Sequence, residues 1–125
     1  KEIALKMQET TYIQALSYSI ADFYHGPFAM ISKDSFAIVL VPEDETYEDG
    51  LKMLEALKNA DSQVLAVTTD ENLDVKEKIL IPSISKYQAP FINIFVGQYF
   101  CLNLALTKGL NPDEPRGLKK VTVTR

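Results

Sequence analysis

Residues that could move protons lie near both ends of the sequence. Lys6 and Glu9 are three residues apart, so on a helix their side chains share a face and can touch. His25 is the only histidine of the chain, and Lys119 and Lys120 form an amine pair close to the C-terminus. Carboxylate, imidazole and amine groups could together perform proton transfer on a carbonyl compound.

Each of these groups also has an ordinary structural explanation. A Lys-x-x-Glu pair on a helix is usually a solvated salt bridge, which contributes only about 0.3 kcal/mol. A histidine before Gly26-Pro27 is more often a turn or capping residue than a catalyst, and lysines in a polar tail are usually surface charges. Spacing alone therefore establishes no active site.

Several familiar site motifs are missing from the sequence. It has no Gly-x-Gly-x-x-Gly, no phosphate-loop motif, no Cys-x-x-Cys and no His-Glu-x-x-His. A single histidine and a single cysteine exclude a multi-histidine or cysteine-built metal site, so we predict no metal and no cofactor. A Ser-His-Asp hydrolase stays open by residue type, although no Gly-x-Ser-x-Gly elbow occurs.

Composition and charge indicate an ordinary globular domain. The 125 residues are 46% hydrophobic and carry a net charge of −4, with basic residues scattered, which disfavours nucleic acid as a partner. Cys101 stands alone in an apolar run and is predicted to be a buried, inert thiol, which favours a reducing, cytoplasmic location. We predict no signal peptide, no membrane-spanning segment and no membrane partner.

Hydrophobic periodicity predicts the elements that must position these residues. Helical spacing predicts helices over the ranges 1–14, 47–60 and 91–110, short helical pieces over 17–31 and a short helix over 73–78. Continuous apolar runs predict buried strands over 35–42, 63–69 and 79–82. Alternating strands and helices predict a parallel sheet with helices on both faces, so the fold class is α/β.

The chain is predicted to be one domain, residues 1–125, with 111–125 as a tail that has no helical period. Its first residues already run at helical spacing with no N-cap residue before them. We therefore expect a fragment of a longer polypeptide.

Two separated motifs resemble the sugar isomerase (SIS) domain family. Leu5-Lys-Met-Gln-Glu, followed by His25-Gly-Pro, is similar to the second SIS domain of glutamine–fructose-6-phosphate aminotransferases. Gln98 and the stretch Asn111-Pro-Asp-Glu-Pro-Arg-Gly-Leu-Lys-Lys-Val-Thr-Val resemble the end of the same domain. The resemblance implies a flavodoxin-like SIS domain that lacks its first strand.

The resemblance also implies a reaction and roles for the residues. SIS enzymes of this kind interconvert ketose and aldose forms of a hexose 6-phosphate, or their amino counterparts, by moving a proton between C1 and C2. Glu9 matches the family's base, Lys6 the lysine beside it, and His25 the histidine linked to ring opening. Since the family takes that histidine from the neighbouring subunit, a homodimer with His25 acting in trans is implied.

A tail lysine of the family reaches the sugar's open-chain carbonyl, where an amine could form a Schiff base or polarise the oxygen. Counting from Pro115-Arg116 selects Lys120, whereas counting back from Val121-Thr-Val selects Lys119. We prefer Lys120, because counting from Pro-Arg requires no gap.

Departures from the family leave alternatives open. The Ser/Thr-rich phosphate loop of the first SIS domain is absent, so we expect that domain, on the same chain, as a partner in binding the sugar phosphate. No N-terminal cysteine for glutamine hydrolysis is present, and this stretch alone is expected to be inactive. The rivals are a compact SIS-type glucosamine-6-phosphate deaminase or fructosamine-6-phosphate deglycase, and a non-catalytic sugar-phosphate sensor.

Overall fold

The computed structural model describes residues 1–118 and divides them into two compact units. The helix unit comprises Lys1–Ser17 and the residues from Ile94 onward, and the sheet unit is Tyr18–Asn93. The elements are α1 (Glu2–Thr11), α2 (Ile20–Tyr24), a 3-10 turn (Pro27–Met30), β1 (Phe36–Val41), α3 (Tyr47–Asn59), β2 (Gln63–Thr68), β3 (Lys78–Leu80) and α4 (Ala89–Thr107). Helix α4 begins in the sheet unit and ends in the helix unit. A single domain with a tail over 111–125 stays a prediction.

The sheet unit contains three parallel strands in the order β1-β2-β3. Phe36 lies opposite Gln63 at the start of the first pair, and Ala66 lies opposite Lys78 at the start of the second. Parallel neighbours in chain order require crossover connections, and α3 supplies the first of them. The predicted α/β class with a parallel sheet is confirmed.

Burial in the sheet unit explains why these segments fold as they do. The core consists of Val39, Val41, Met53, Leu54, Leu57, Ala66 and Leu73, which come from β1, β2, α3 and the loop after β2. Helix α3 approaches β1 closely at Gly50, where an added Cβ would lie 2.8 Å from Cγ1 of Val41. The continuous apolar runs of the strands are therefore matched by one apolar face of α3.

The predicted short helix over 73–78 is wrong. Polar side chains bind the backbone there: Oδ1 of Asp70 accepts the N–H of Asn72 at 2.8 Å, and Nζ of Lys78 donates to the carbonyl of Leu73 at 2.9 Å. Such local bonds favour turns over a helix. Lys78 already belongs to β3, so the segment is a connection between two strands.

Two predicted helix ends also differ from the structure. Helix α1 stops at Thr11 rather than near residue 14, because Tyr12 adopts a left-handed conformation with φ 59°. Thr46 occupies the N-cap position of α3, but its hydroxyl donates to Oδ1 of Asp44 at 2.7 Å instead of capping a helical N–H. The rest of α3 agrees with the prediction.

The helix unit depends on small side chains along α4. Gly97, Cys101 and Ala105 are buried at intervals of four residues. An added Cβ at Gly97 would lie 2.4 Å from Cγ1 of Ile3. Sγ of Cys101 lies 3.8 Å from the carbonyl oxygen of Ile3. The buried thiol is confirmed, and burial raises the pKa of Cys101, which keeps it protonated and unreactive.

Helix α4 ends where the sequence predicted a stop near Gly109. The N–H of Leu110 bonds to the carbonyl of Ala105, the N–H of Gly109 bonds to that of Leu106, and Gly109 has φ 68°. This pattern is a Schellman cap, which favours glycine at the left-handed position.

By length and composition, α4 could cross a membrane. Its 19 residues carry no charge, and an 18-residue window has a mean hydropathy of 1.4. The sequence prediction overlooked this segment. A mostly buried core helix of a water-soluble protein meets the same criteria, but only 17% of this window is buried, so the absence of a membrane partner stays a prediction.

Candidate active site

Helix α1 brings Lys6 and Glu9 into direct contact. Nζ of Lys6 donates to Oε2 of Glu9 at 2.6 Å, one helical turn along, as the spacing predicted. The lysine side chain is 36% exposed and the carboxylate side chain 26%. Oε1 of Glu9 accepts no hydrogen bond from the described residues. The pair therefore presents a half-buried carboxylate with one oxygen engaged and the other available.

The electrostatics of the pair keep the lysine charged. The hydrogen bond to Glu9 raises the pKa of Lys6, and the negative charges of Glu9 and Glu2 raise it further, while partial desolvation opposes them. At neutral pH the ammonium is thus a fixed positive charge beside the carboxylate. It orients that carboxylate and leaves the lysine unable to serve as a base.

A cavity of about 380 Å³ opens beside Lys6 within the helix unit, and Glu9 is not among its lining residues. It is lined by Lys6, Thr10, Phe95, Gln98, Tyr99, Cys101, Leu102 and Pro112. Its volume lies at the small end of the range for metabolite pockets, which starts at about 300 Å³. An ammonium, a hydroxyl, an amide and a phenol among apolar walls could bind a small polyhydroxy compound. Thr10 and Tyr99 are lining residues that the sequence did not single out.

The C-terminal stretch is tied to the end of α1. The N–H of Arg116 donates to the hydroxyl oxygen of Tyr12 at 2.9 Å, and its guanidinium lies 3.9 Å from the centre of the same ring. Sequence reasoning missed this contact. The two residues are 104 positions apart in the sequence. No local sequence pattern predicts that Tyr12 adopts a left-handed conformation.

His25 lies in the sheet unit, exposed at the C-cap of α2. Ser19 caps the start of that helix by accepting the N–H of Asp22 at 3.1 Å. Gly26 has φ 143°, and Pro27 opens the following 3-10 turn, so the predicted break after the histidine is confirmed. The turn leaves the imidazole at the surface.

The predicted site residues thus fall into three groups. Lys6 and Glu9 meet in the helix unit, and His25 belongs to the sheet unit. Lys119 and Lys120 lie outside the described residues. Within residues 1–118, no cluster of three or more acidic, histidine or cysteine side chains is arranged to hold a metal ion.

Comparison with known proteins identifies the family. The SIS domain profile matches residues 1–108. The chain is 33% identical to the isomerizing glutamine–fructose-6-phosphate aminotransferase of Chlorobaculum tepidum, over 98% of this chain and 21% of that protein. It is 35% identical to the enzyme of the same name from Aquifex aeolicus, with the same coverage. The chain therefore spans about a fifth of the length of these curated relatives.

A solved structure agrees on the fold. The C-terminal domain of glucosamine-fructose-6-phosphate aminotransferase from Francisella tularensis has a TM-score of 0.82 and 23% identity. The match covers 90% of this chain and 33% of that one. With the profile match over most of its length, the α/β chain described above belongs to the SIS domain family.

Proposed function

We propose that this chain is a catalytic SIS domain that performs aldose–ketose type (amino)isomerisation of a hexose 6-phosphate. The observation that carries the proposal is the 2.6 Å contact between Glu9 and Lys6, since Lys6 also lines a cavity of about 380 Å³. A binding module for sugar phosphates needs polar groups in a pocket, but it does not need a carboxylate with an available oxygen next to the lysine that lines the pocket. The names of the relatives, isomerizing aminotransferases, support the same reaction class.

Glu9 is the base in this proposal. Once the sugar ring is open, Oε1 takes the proton from the carbon next to the carbonyl and returns it to the neighbouring carbon through an enediol or enolamine. Lys6 donates a hydrogen bond to Oε2, so the carboxylate keeps its orientation during the transfer. The lysine is a positioning residue, since it contacts the base and not the moving proton.

The remaining roles come from the other two groups of site residues. His25 assists ring opening, and its exposed place at a turn makes the imidazole available to a second subunit. A homodimer with His25 acting in trans is therefore part of the proposal. Lys120, with Lys119 as the alternative, supplies the tail amine near the open-chain carbonyl.

A companion domain completes the substrate site. Among the side chains that line the described cavity, Lys6 is the one cation. Its ammonium already donates a hydrogen bond to Glu9. One engaged ammonium is a poor phosphate site, because phosphate recognition in proteins uses several donors. We propose that the first SIS domain of the same chain binds the phosphate, and that the full protein works in the cytoplasm.

The proposal is tested by incubating the full-length protein with fructose 6-phosphate or glucosamine 6-phosphate in deuterated water. Proton NMR is expected to show deuterium entering at C1 or C2, with interconversion of isomers. Ammonia released from the amino sugar would identify the deaminase or deglycase instead, which uses the same proton transfer. Saturable binding without exchange would overturn the catalytic proposal and favour a sugar-phosphate sensor.

A further inference from the structure

Gln98 differs from Asn103 and Thr107, two polar residues further along α4. Nδ2 of Asn103 donates to the carbonyl oxygen of Tyr99 at 2.7 Å, and the hydroxyl of Thr107 donates to that of Asn103 at 2.8 Å, so their own helix engages both side chains. The side-chain amide of Gln98 forms no hydrogen bond with any of residues 1–118. It is exposed and lines the cavity of the helix unit. Gln98 therefore brings two N–H donors and one acceptor oxygen to the cavity, all of them available.

Helix α1 contributes polar groups of two other kinds to the same cavity. The hydroxyl of Thr10 donates its proton to the carbonyl oxygen of Lys6 at 2.8 Å, so its oxygen retains only the capacity to accept. The ammonium of Lys6 can only donate, and one of its N–H groups already bonds to Glu9. The walls of the cavity thus combine groups that require a donor with groups that require an acceptor.

This combination of donors and acceptors favours one class of ligand over another. A fully ionised phosphate or a carboxylate accepts hydrogen bonds but has no proton to donate, so it would leave the oxygen of Thr10 and Oε1 of Gln98 without a partner. A hydroxyl both donates and accepts, so it satisfies both kinds of group. Phe95 and Leu102 add apolar surface that suits the C–H groups between hydroxyls. The ligand that fits is a neutral, hydroxylated carbon chain.

Lys6 connects this class of ligand with the proposed reaction, because it lines the cavity and contacts Glu9 at 2.6 Å. When C1 and C2 of the open sugar lie at Glu9, the hydroxyls of C3 and C4 are the next polar groups along the carbon chain. We propose that Gln98 is a specificity-determining residue that hydrogen-bonds the substrate hydroxyl at C3 or C4. The inference rests on the proposed function and names the residue that recognises the carbon chain of its substrate. Gln98 takes no part in the proton transfer.

The test compares the full-length wild type with three variants. Gln98→Met keeps the length of the side chain and removes its amide, and Gln98→Ala removes the amide without adding apolar surface. Asn103→Leu is the matched control, because Asn103 is an exposed amide on the same helix that bonds to the helix backbone and does not line the cavity. Calorimetric titration gives the Kd for glucitol 6-phosphate, an open-chain analogue without a carbonyl group, and for its 3-deoxy and 4-deoxy forms.

We expect both Gln98 variants to bind glucitol 6-phosphate about 10-fold more weakly than the wild type, because each loses a hydrogen bond to a hydroxyl. In the wild type, one of the two deoxy forms binds about 10-fold more weakly than glucitol 6-phosphate, because the amide is left without its partner. In the Gln98 variants this discrimination falls below about 2-fold. Asn103→Leu keeps the affinity and the discrimination of the wild type. Urea unfolding measures whether each variant is folded.

The outcomes that overturn this inference differ from those that overturn the function on which it rests. An affinity within about 2-fold of the wild type in both Gln98 variants would overturn the role of Gln98 alone. Discrimination against a deoxy form that persists in these variants, or a wild type that does not bind glucitol 6-phosphate, would overturn it as well. Binding and discrimination without deuterium exchange into fructose 6-phosphate would instead overturn the proposed catalysis and leave the hydroxyl contact of Gln98 in place.

Discussion

The helix unit and the sheet unit bury their side chains differently. The sheet unit buries large apolar side chains in its core, where Leu57 is 1% exposed. The helix unit buries small residues on α4 and leaves large ones outside, with Phe95 at 66% and Tyr99 at 61% exposure. Those two rings stack on each other and line the cavity together with Lys6. The large apolar core therefore belongs to the sheet unit, whereas the proposed base belongs to the helix unit.

The largest stability effect is expected in the sheet core. Leu57→Ala removes a fully buried side chain between α3 and the strands, so the free energy of unfolding is expected to fall by about 3 kcal/mol. Leu80→Ala is the control, since Leu80 is 49% exposed, and its effect is expected to stay below about 1 kcal/mol. Urea unfolding measures both. Equal losses of unfolding free energy in the two variants would contradict a tightly packed core around Leu57.

A smaller effect is expected where α1 and α4 approach each other. Gly97→Ala places a methyl group 2.4 Å from Cγ1 of Ile3, so we expect a loss of about 2 kcal/mol. Combining it with Ile3→Ala removes the obstructing side chain, and the cost of the added methyl group is then expected to shrink by more than half. A thermodynamic cycle by urea unfolding measures this coupling. Strict additivity of the two substitutions would show that Gly97 is not the contact point.

A pH-dependent effect on stability is expected at the Tyr47–Asp70 hydrogen bond of the sheet unit. The hydroxyl of Tyr47 donates to Asp70, which raises the pKa of Tyr47 to about 12 and lowers that of Asp70. Above about pH 10 an unfolded tyrosine ionises while the folded one keeps its proton, so this contribution to stability is lost as pH rises toward 12. The stability difference between the wild type and Tyr47→Phe is expected to narrow over that interval. A constant difference from pH 8 to 12 in urea unfolding would contradict the hydrogen bond.

At acidic pH the Tyr47–Asp70 pair makes the free energy of unfolding rise with pH, the opposite of its effect at alkaline pH. Asp70 has a lowered pKa in the folded protein, because Tyr47 and the N–H of Asn72 donate to its carboxylate. Its contribution is present above the unfolded pKa, about 4, and is lost as pH falls through the lower folded pKa. The stability difference between the wild type and Tyr47→Phe is therefore expected to narrow again in acid.

The smallest stability effect is expected at the charged pair of the helix unit. Lys6→Met breaks a partly exposed salt bridge, so the free energy of unfolding is expected to change by less than about 0.5 kcal/mol. Deuterium exchange is expected to fall about 10-fold, because Glu9 loses the cation that orients it. Calorimetry and NMR on the same samples separate the two quantities. A loss of stability with unchanged exchange would make the pair structural.

The sequence predicted the repetitive parts of the fold and the local contacts of the site. Continuous apolar runs predicted the strands, helical spacing of apolar residues predicted α3, and the Lys6–Glu9 contact follows from the same helical spacing. The predicted helix over 73–78 failed because Asp70 and Lys78 bind backbone groups, a competition that periodicity does not report. The contact between Tyr12 and Arg116 was beyond sequence reasoning, since it joins residues that only the folded chain brings together.

Substitution of the proposed base tests the central claim most directly. Glu9→Gln keeps the size of the side chain and its place on α1 but removes the carboxylate, and Glu2→Gln makes the same change about two helix turns away. In the full-length protein with fructose 6-phosphate or glucosamine 6-phosphate, we expect Glu9→Gln to slow deuterium exchange by about 1,000-fold and Glu2→Gln by less than about 2-fold. Exchange within about 10-fold of the wild type in a folded Glu9→Gln protein would contradict the assignment of Glu9 as the base.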